Sequence, residues 1–286
     1  MYDSSVDVSL DRKRIAVGRR TLGYLASGST PTDRVVVFLH AFPLNAGMWA
    51  PQLPALPPGW AGVAPDFRGF GGSSPDDEGT RAEARLEDYA EDVGELLDGL
   101  GATRAALCGC SMGGYAALSV LSRFPARVSG LLLADTRATA DAEAARASRA
   151  AMLDLLDGKG PAAVAAEMRP KLLGPASASE RPDVLAALDG MMGRATARGI
   201  GFAVARMLNR PDATAALAAF RGPVSIVVGE VDTLTPPAEA ASMAAAAPGA
   251  ALTKIPGAGH ISNLEAPDAF NAALSAWLDR AAAGKS

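Results

Sequence analysis

The feature that most constrains this chain lies at Ala105–Phe124, where an apolar strand signal passes into a helical one with no linker between them. Ala105–Cys110 is short and apolar, and Gly113–Phe124 keeps a helical spacing of apolar residues. Between them stands Gly109-Cys110-Ser111-Met112-Gly113, a G-x-S-x-G pattern. Five residues alone would be weak, but the placement makes them informative. A reversal this tight holds its central residue in a strained backbone conformation, and its flanks must be small for strand and helix to pass. The helix N-terminus then lies under Ser111, so its dipole and the N–H of Met112 face any negative charge that develops there. The competing reading is a tight turn with an incidental serine.

The rest of the chain repeats the same alternation. Val6–Leu10 and Arg14–Val17 read as the arms of a hairpin, and Thr21–Ala26 as a further short strand. Arg34–Leu39 is nearly all apolar, the pattern of a strand buried on both faces. Trp60–Pro65, Val128–Ala134, Val224–Val228 and Ala251–Ile255 follow as strands. Helical patterns occupy Arg85–Leu100, Pro237–Ala247 and Ala266–Ala283. Strands alternating with helices predict a parallel sheet covered on both faces, with ligands beyond the carboxyl ends of its strands. Thr139–Arg210 breaks the rhythm: about 70 residues carry helical signal and no strand, which reads as an inserted subdomain rather than a loop.

Composition narrows the function. A net charge of −4 gives no footprint for nucleic acid and no polybasic patch for an anionic membrane. Met1–Val17 carries Asp3, Asp7 and Asp11 with no apolar core of a signal peptide, and no run is long enough to span a bilayer, so a cytoplasmic location is expected. The two cysteines, Cys108 and Cys110, are read as buried free thiols, and with two histidines so placed they form no zinc set.

A serine hydroxyl needs a neighbouring base to attack near neutral pH. Of the two histidines, His260 lies in Pro256-Gly-Ala-Gly-His-Ile just past the last strand, at the edge where Ser111 also falls. A carboxylate must then hold the imidazole in its productive tautomer. Asp232, in Gly229-Glu-Val-Asp-Thr-Leu-Thr-Pro, is favoured, with Asp135 the main competitor and Glu230 a weaker one. The chain order Ser, Asp, His supports Asp232. His40-Ala41-Phe42-Pro43 follows the strand at Arg34–Leu39, and the N–H of Phe42 is the natural second donor to an oxyanion. His40 reads as structural. Asp66 and Arg68, in the glycine-rich loop after the next strand, read as fixing loop shape.

FLHAFPLNAGMW, APDFRGFGGS, LCGCSMGGYAA, GEVDTLTPP and PGAGHISNLEAP, in this order, resemble the α/β-hydrolase superfamily over nearly the whole chain. Among its members the likeness is to bacterial aryl esterases, perhydrolase-like enzymes and enol-lactonases. The resemblance implies an eight-stranded, mostly parallel sheet flanked by helices. It implies a core of residues 1–136 and 216–286 and a helical lid over 137–215. It also implies Ser111, Asp232 and His260 as catalytic triad, and Phe42 and Met112 as oxyanion donors. Ala41 stands where the family usually has glycine.

The expected activity is hydrolysis of a small-molecule carboxylic ester through an acyl-enzyme, with no metal or organic cofactor. The alternatives are a lactonase or perhydrolase on the same triad, or a ligand-binding protein that turns over slowly. Met152, Met191, Met192 and Met207 in the inserted segment are candidate substrate contacts, because methionine adapts to varied apolar shapes. They predict an apolar pocket that prefers uncharged esters.

Overall fold

The computed structural model describes residues 10–27, 34–76 and 79–283. In chain order the elements are β1 (Asp11–Val17), β2 (Arg20–Ser27), β3 (Val35–Leu39), β4 (Ala61–Pro65), α1 (Glu87–Gly99), β5 (Ala105–Cys110), α2 (Met112–Arg123) and β6 (Val128–Ala134). Then come α3 (Glu143–Lys159), α4 (Pro161–Leu172), α5 (Pro175–Glu180), α6 (Pro182–Met192), α7 (Ala197–Leu208) and α8 (Thr214–Ala219). The chain ends with β7 (Val224–Gly229), α9 (Pro237–Ala246), β8 (Ala251–Ile255), α10 (Ser262–Glu265) and α11 (Pro267–Ala283).

All eight strands form one sheet in the order β1-β2-β4-β3-β5-β6-β7-β8. Only β2 runs against the others, pairing antiparallel with β1 and β4. The arm expected at Val6–Leu10 falls, apart from Leu10, outside the described residues, and Arg14–Val17 pairs instead with the strand after it, with Ala16 opposite Thr21. Every residue of β3, β4, β5 and β7 is buried, which explains the near-continuous apolar runs in these strands. Strand order reverses between β3 and β5, since β4 lies on one side of β3 and β5 on the other. Right-handed crossovers therefore send successive connections to opposite faces. α1, α2, α8 and α9 pack in a row on one face, and α11 covers the other together with the turn at Ala46–Trp49. The packing there is aromatic: Trp49 lies 5.2 Å from Phe38 and 5.9 Å from Phe270 between ring centroids.

The β5–α2 junction is held by close approach. A Cβ on Gly113 would stand 2.0 Å from the carbonyl oxygen of Leu39, and one on Gly109 would stand 2.3 Å from that of Gly113. α2 can therefore sit directly on β3 and β5 only because these positions carry no side chain.

The six helices α3–α8 fill the interval between β6 and β7. Arg206 of α7 anchors them. Its guanidinium is buried, pairs with the buried Asp76, and donates to Asp88 of α1 at 2.7 and 2.9 Å. It also lies 4.8 Å over the ring of Tyr89. Burying a guanidinium is costly unless its charge is met, and here two carboxylates and an aromatic face meet it.

Gly113→Ala drives a methyl into backbone and should cost roughly 2–4 kcal/mol. Gly190→Ala, in α6 with nothing within 4 Å of a new Cβ, should stabilise by about 0.5–1 kcal/mol. Urea unfolding monitored by circular dichroism checks both, and equal effects would contradict the packing.

Candidate active site

Ser111 caps α2 with φ 53° and ψ −116°, a left-handed conformation that a side chain at this position adopts only under constraint. The constraint comes from both sides. Its N–H donates to the carbonyl of Ala134 at 2.9 Å, and its own carbonyl accepts from Gly114 N–H and from the Thr136 hydroxyl. The reversal stands the side chain out of the turn, and Ser111 lines a cavity of about 450 Å³ at the carboxyl end of the sheet. The switch in strand order places the turn after β3 beside the turn after β5, so Phe42 lines the same cavity.

Three side chains from three loops meet in a row. His260 Nε2 lies 2.8 Å from Ser111 Oγ, and His260 Nδ1 lies 2.8 Å from Asp232 Oδ2. Asp232 is itself held: its Oδ1 accepts from the N–H groups of Leu234 and Thr235 at 2.8 and 3.0 Å, and its Oδ2 from the Thr235 hydroxyl at 2.6 Å. His260 is fixed by its backbone, whose N–H reaches the carbonyl of Leu172 at the end of α4. Burial opposes the imidazolium, but the charge and hydrogen bond of Asp232 outweigh it, with a further contribution from Asp135, and the His260 pKa rises above 6.5. Burial likewise opposes the Asp232 carboxylate, and His260 and Thr235 outweigh it, so the Asp232 pKa falls.

The two other candidate carboxylates lie elsewhere. Glu230 is exposed and reaches only the N–H of Gly257, at 3.4 Å. Asp135 is buried, but it faces backbone and hydroxyl: Oδ1 accepts from Gly229 N–H at 2.7 Å and Oδ2 from Ser262 Oγ at 2.5 Å. Burial first, and then the nearby Asp232 charge, push its pKa up to about 8. The two acids are thus shifted in opposite directions, Asp232 down and Asp135 up. That separation lets two carboxyl groups share a buried region.

His40 is structural in its contacts. Its Nδ1–H donates to the Ala41 carbonyl and its Nε2 accepts from Phe67 N–H, both at 3.0 Å, which ties the turn after β3 to the turn after β4. Full burial lowers its pKa to about 4. Ala41 replaces the usual glycine without strain, since among the described residues the only side-chain-bearing positions with positive φ are Ser111 and Asp135. Asp66 and Arg68 both fix loops, though not by pairing with each other. Asp66 accepts from the N–H groups of Ala46 and Gly72, each at 2.7 Å. Arg68 grips Asp92 of α1 with two hydrogen bonds of 2.7 and 2.6 Å.

The cavity corrects the expected methionine set. Met152 and Met207 line it, and so does Met168, which the sequence did not single out as a contact. Met191 and Met192 are buried away from it, and Met191 packs toward Gly47. Met191 faces inward from α6 against the turn at Ala46–Trp49, so its adaptability serves packing. The expected apolar character is also only partly present, because Arg137, Asp141, Arg149 and Lys171 share the lining. Charged residues scattered along an alanine-rich helical segment carry no period that marks them as pocket residues. Cys108 and Cys110 are buried free thiols, with pKa values raised by burial. Among the described residues there is no cluster that could hold a metal ion, and no helix long and apolar enough to cross a membrane.

Residues 34–267 match the family model of the alpha/beta hydrolase fold. The chain is 27% identical to 3-oxoadipate enol-lactonase 2 of Acinetobacter baylyi, over 91% of this chain and 93% of that one. It is 26% identical to 2-(acetamidomethylene)succinate hydrolase of Mesorhizobium japonicum, over 97% and 99%. Among solved structures, a thermophilic esterase from Thermogutta terrifontis, with malate bound, superposes with a TM-score of 0.86 at 31% identity, over 95% of this chain and 99% of that one. The chain belongs to the α/β-hydrolase family and is a hydrolytic enzyme.

The two histidines should titrate far apart. Imidazole resonances followed by NMR should show His260 titrating above pH 6.5 and His40 near pH 4. A folded pKa depressed below the unfolded one favours the folded state above pH 6.5, and that advantage is lost as pH falls through 4. For His40 the advantage amounts to on the order of 3 kcal/mol. Two histidines titrating together near 6.5 would contradict this environment.

Proposed function

We propose that this hydrolase cleaves a small-molecule carboxylic ester or lactone through an acyl-enzyme, with Ser111 as nucleophile, His260 as general base and Asp232 as orienting acid. The continuous hydrogen-bonded row from Ser111 Oγ through His260 to Asp232 carries this reading. His260 Nε2 takes the hydroxyl proton as Oγ attacks the carbonyl, and Asp232 stabilises the imidazolium that forms. The oxyanion is met by the N–H groups of Met112 and Phe42. Met112 opens α2, where N–H groups have no intrahelical acceptor. In the turn after β3 the preceding N–H, of Ala41, already donates to Met48 Sδ, so Phe42 supplies the second donor. The imidazolium then protonates the leaving alcohol, and His260 activates water to release the acid. In a lactone the leaving alcohol stays tethered to the acyl chain, and the same steps open the ring. Both substrate forms occur among the similar proteins, one of them being an enol-lactonase and another an esterase.

The helices between β6 and β7 act in this scheme as a lid on a core of residues 1–136 and 216–286. α3, α4 and α7 each supply a cavity methionine, Met152, Met168 and Met207. Water exclusion by such a cover strengthens the hydrogen bonds that form in the transition state.

Activity on 4-nitrophenyl esters and on simple lactones tests the scheme. Ser111→Ala and Asp232→Asn should each lower kcat on the order of 10³–10⁴-fold. Asp135→Asn, at a carboxyl group that meets Gly229 and Ser262 rather than His260, should cost less than about tenfold. In the wild type kcat/KM should rise with pH through a midpoint above 6.5, because only the neutral imidazole accepts the proton. A large Asp135→Asn effect beside a mild Asp232→Asn effect would reassign the acid.

A further inference from the structure

We infer that the cavity is built to take a substrate bearing a free carboxylate away from its scissile bond, and that Arg149 is the residue that grips it. The inference rests on the hydrolase reading above and adds its substrate class. The lining of the cavity carries three cations, Arg137, Arg149 and Lys171, against one carboxylate, Asp141, in a chain whose net charge is −4. Asp141 does not neutralise this set. It is buried and shared between two guanidinium groups, Arg149 on Oδ2 and Arg210 on Oδ1, the latter at 2.8 Å. One carboxylate between two guanidiniums leaves a positive charge facing the cavity.

The other cations are committed elsewhere. Arg210 points back into the fold, donating to the Thr139 carbonyl and lying 4.1 Å over the ring of Tyr115. Arg137 donates to the Leu234 carbonyl at 2.5 Å and faces Glu239 at 3.6 Å, holding the loop that carries Asp232. Lys171 pairs with Glu167 on the exposed side of α4. Arg149 differs. Its Nε is fixed by Asp141, and one terminal nitrogen meets only the thioether of Met207, at 3.3 Å. Among the described residues no carboxylate or carbonyl takes its remaining N–H groups. A guanidinium held at Nε, 19% exposed and open at its terminal nitrogens presents a planar fork that matches a carboxylate. Asp141 is a positioning residue here: by accepting from Nε it orients the fork. The apolar wall of Met152, Met168 and Met207 then accommodates the carbon chain between the two ends of the substrate. A pocket so built selects against the uncharged esters that its methionines alone would favour.

The test compares 4-nitrophenyl hydrogen adipate with its methyl-capped diester, which replaces the distal charge by a neutral methyl ester. The chain is long enough that the carboxylate does not readily attack its own ester. Wild-type kcat/KM should favour the free acid by about tenfold or more, and the preference should shrink at high salt. Arg149→Met keeps much of the stem and removes the fork, so the ratio should fall about tenfold, carried by KM; Arg149→Lys should restore part of it. A wild-type preference for the capped ester, or a ratio unchanged in Arg149→Met, overturns the proposal. Equilibrium binding of free adipate and adipamide to wild type and Arg149→Met, by calorimetry, separates this claim from the hydrolase reading. Selective adipate binding that depends on Arg149 supports the site even if neither ester turns over, and its absence overturns the site even if both do.

Discussion

The structure depends on the absence of two side chains. Because Gly109 and Gly113 carry no Cβ, α2 approaches β3 and β5 until backbone meets backbone, and the chain must reverse within the residues between them. Ser111 bears the consequence, a left-handed φ of 53° held from both sides by hydrogen bonds to β6, Thr136 and α2. The strain costs on the order of 1–3 kcal/mol, and the packed junction supplies it. What it yields is a hydroxyl standing clear of the sheet edge, above a helix N-terminus and next to the turn that follows β3. The position of His260 and Asp232 at the ends of β8 and β7 has chemical meaning only relative to that fixed point.

Much of this was legible in the sequence because close approach and burial leave strong traces. The strands buried on both faces show as unbroken apolar runs, and the G-x-S-x-G pattern shows where strand and helix meet. His260 could be singled out because histidine is rare here and a glycine-rich loop surrounds it. The choice between Asp135 and Asp232 was harder, since both follow strands on neighbouring positions of the sheet. The deciding difference is which face of each loop the carboxylate turns to, and that depends on Thr235 on one side and Ser262 on the other. No local pattern announces either.

The character of the cavity was the least legible part. Methionine content pointed to an apolar site, and Met152 and Met207 do line it. Met191 and Met192 do not; both are buried in the packing of α6, and Met191 lies against the Ala46–Trp49 turn. Arg149 and Asp141 lie close in sequence, but their charge balance depends on Arg210, distant in the chain, which shares Asp141 from α7's far end. Helical segments without a sheet to set their faces leave such pairings to tertiary packing. That is also why the family likeness fixes the chemistry of this chain better than its substrate.

In the proposed mechanism Ser111 becomes acylated because His260 and Asp232 activate it. Rapid acid quench during turnover of a 4-nitrophenyl ester, followed by peptide mass spectrometry, tests it most directly. One acyl group per chain should appear on the peptide containing Ser111, and none in His260→Ala quenched at the same time. Acylation of another residue, or turnover without any covalent species under conditions where deacylation limits the rate, would contradict it.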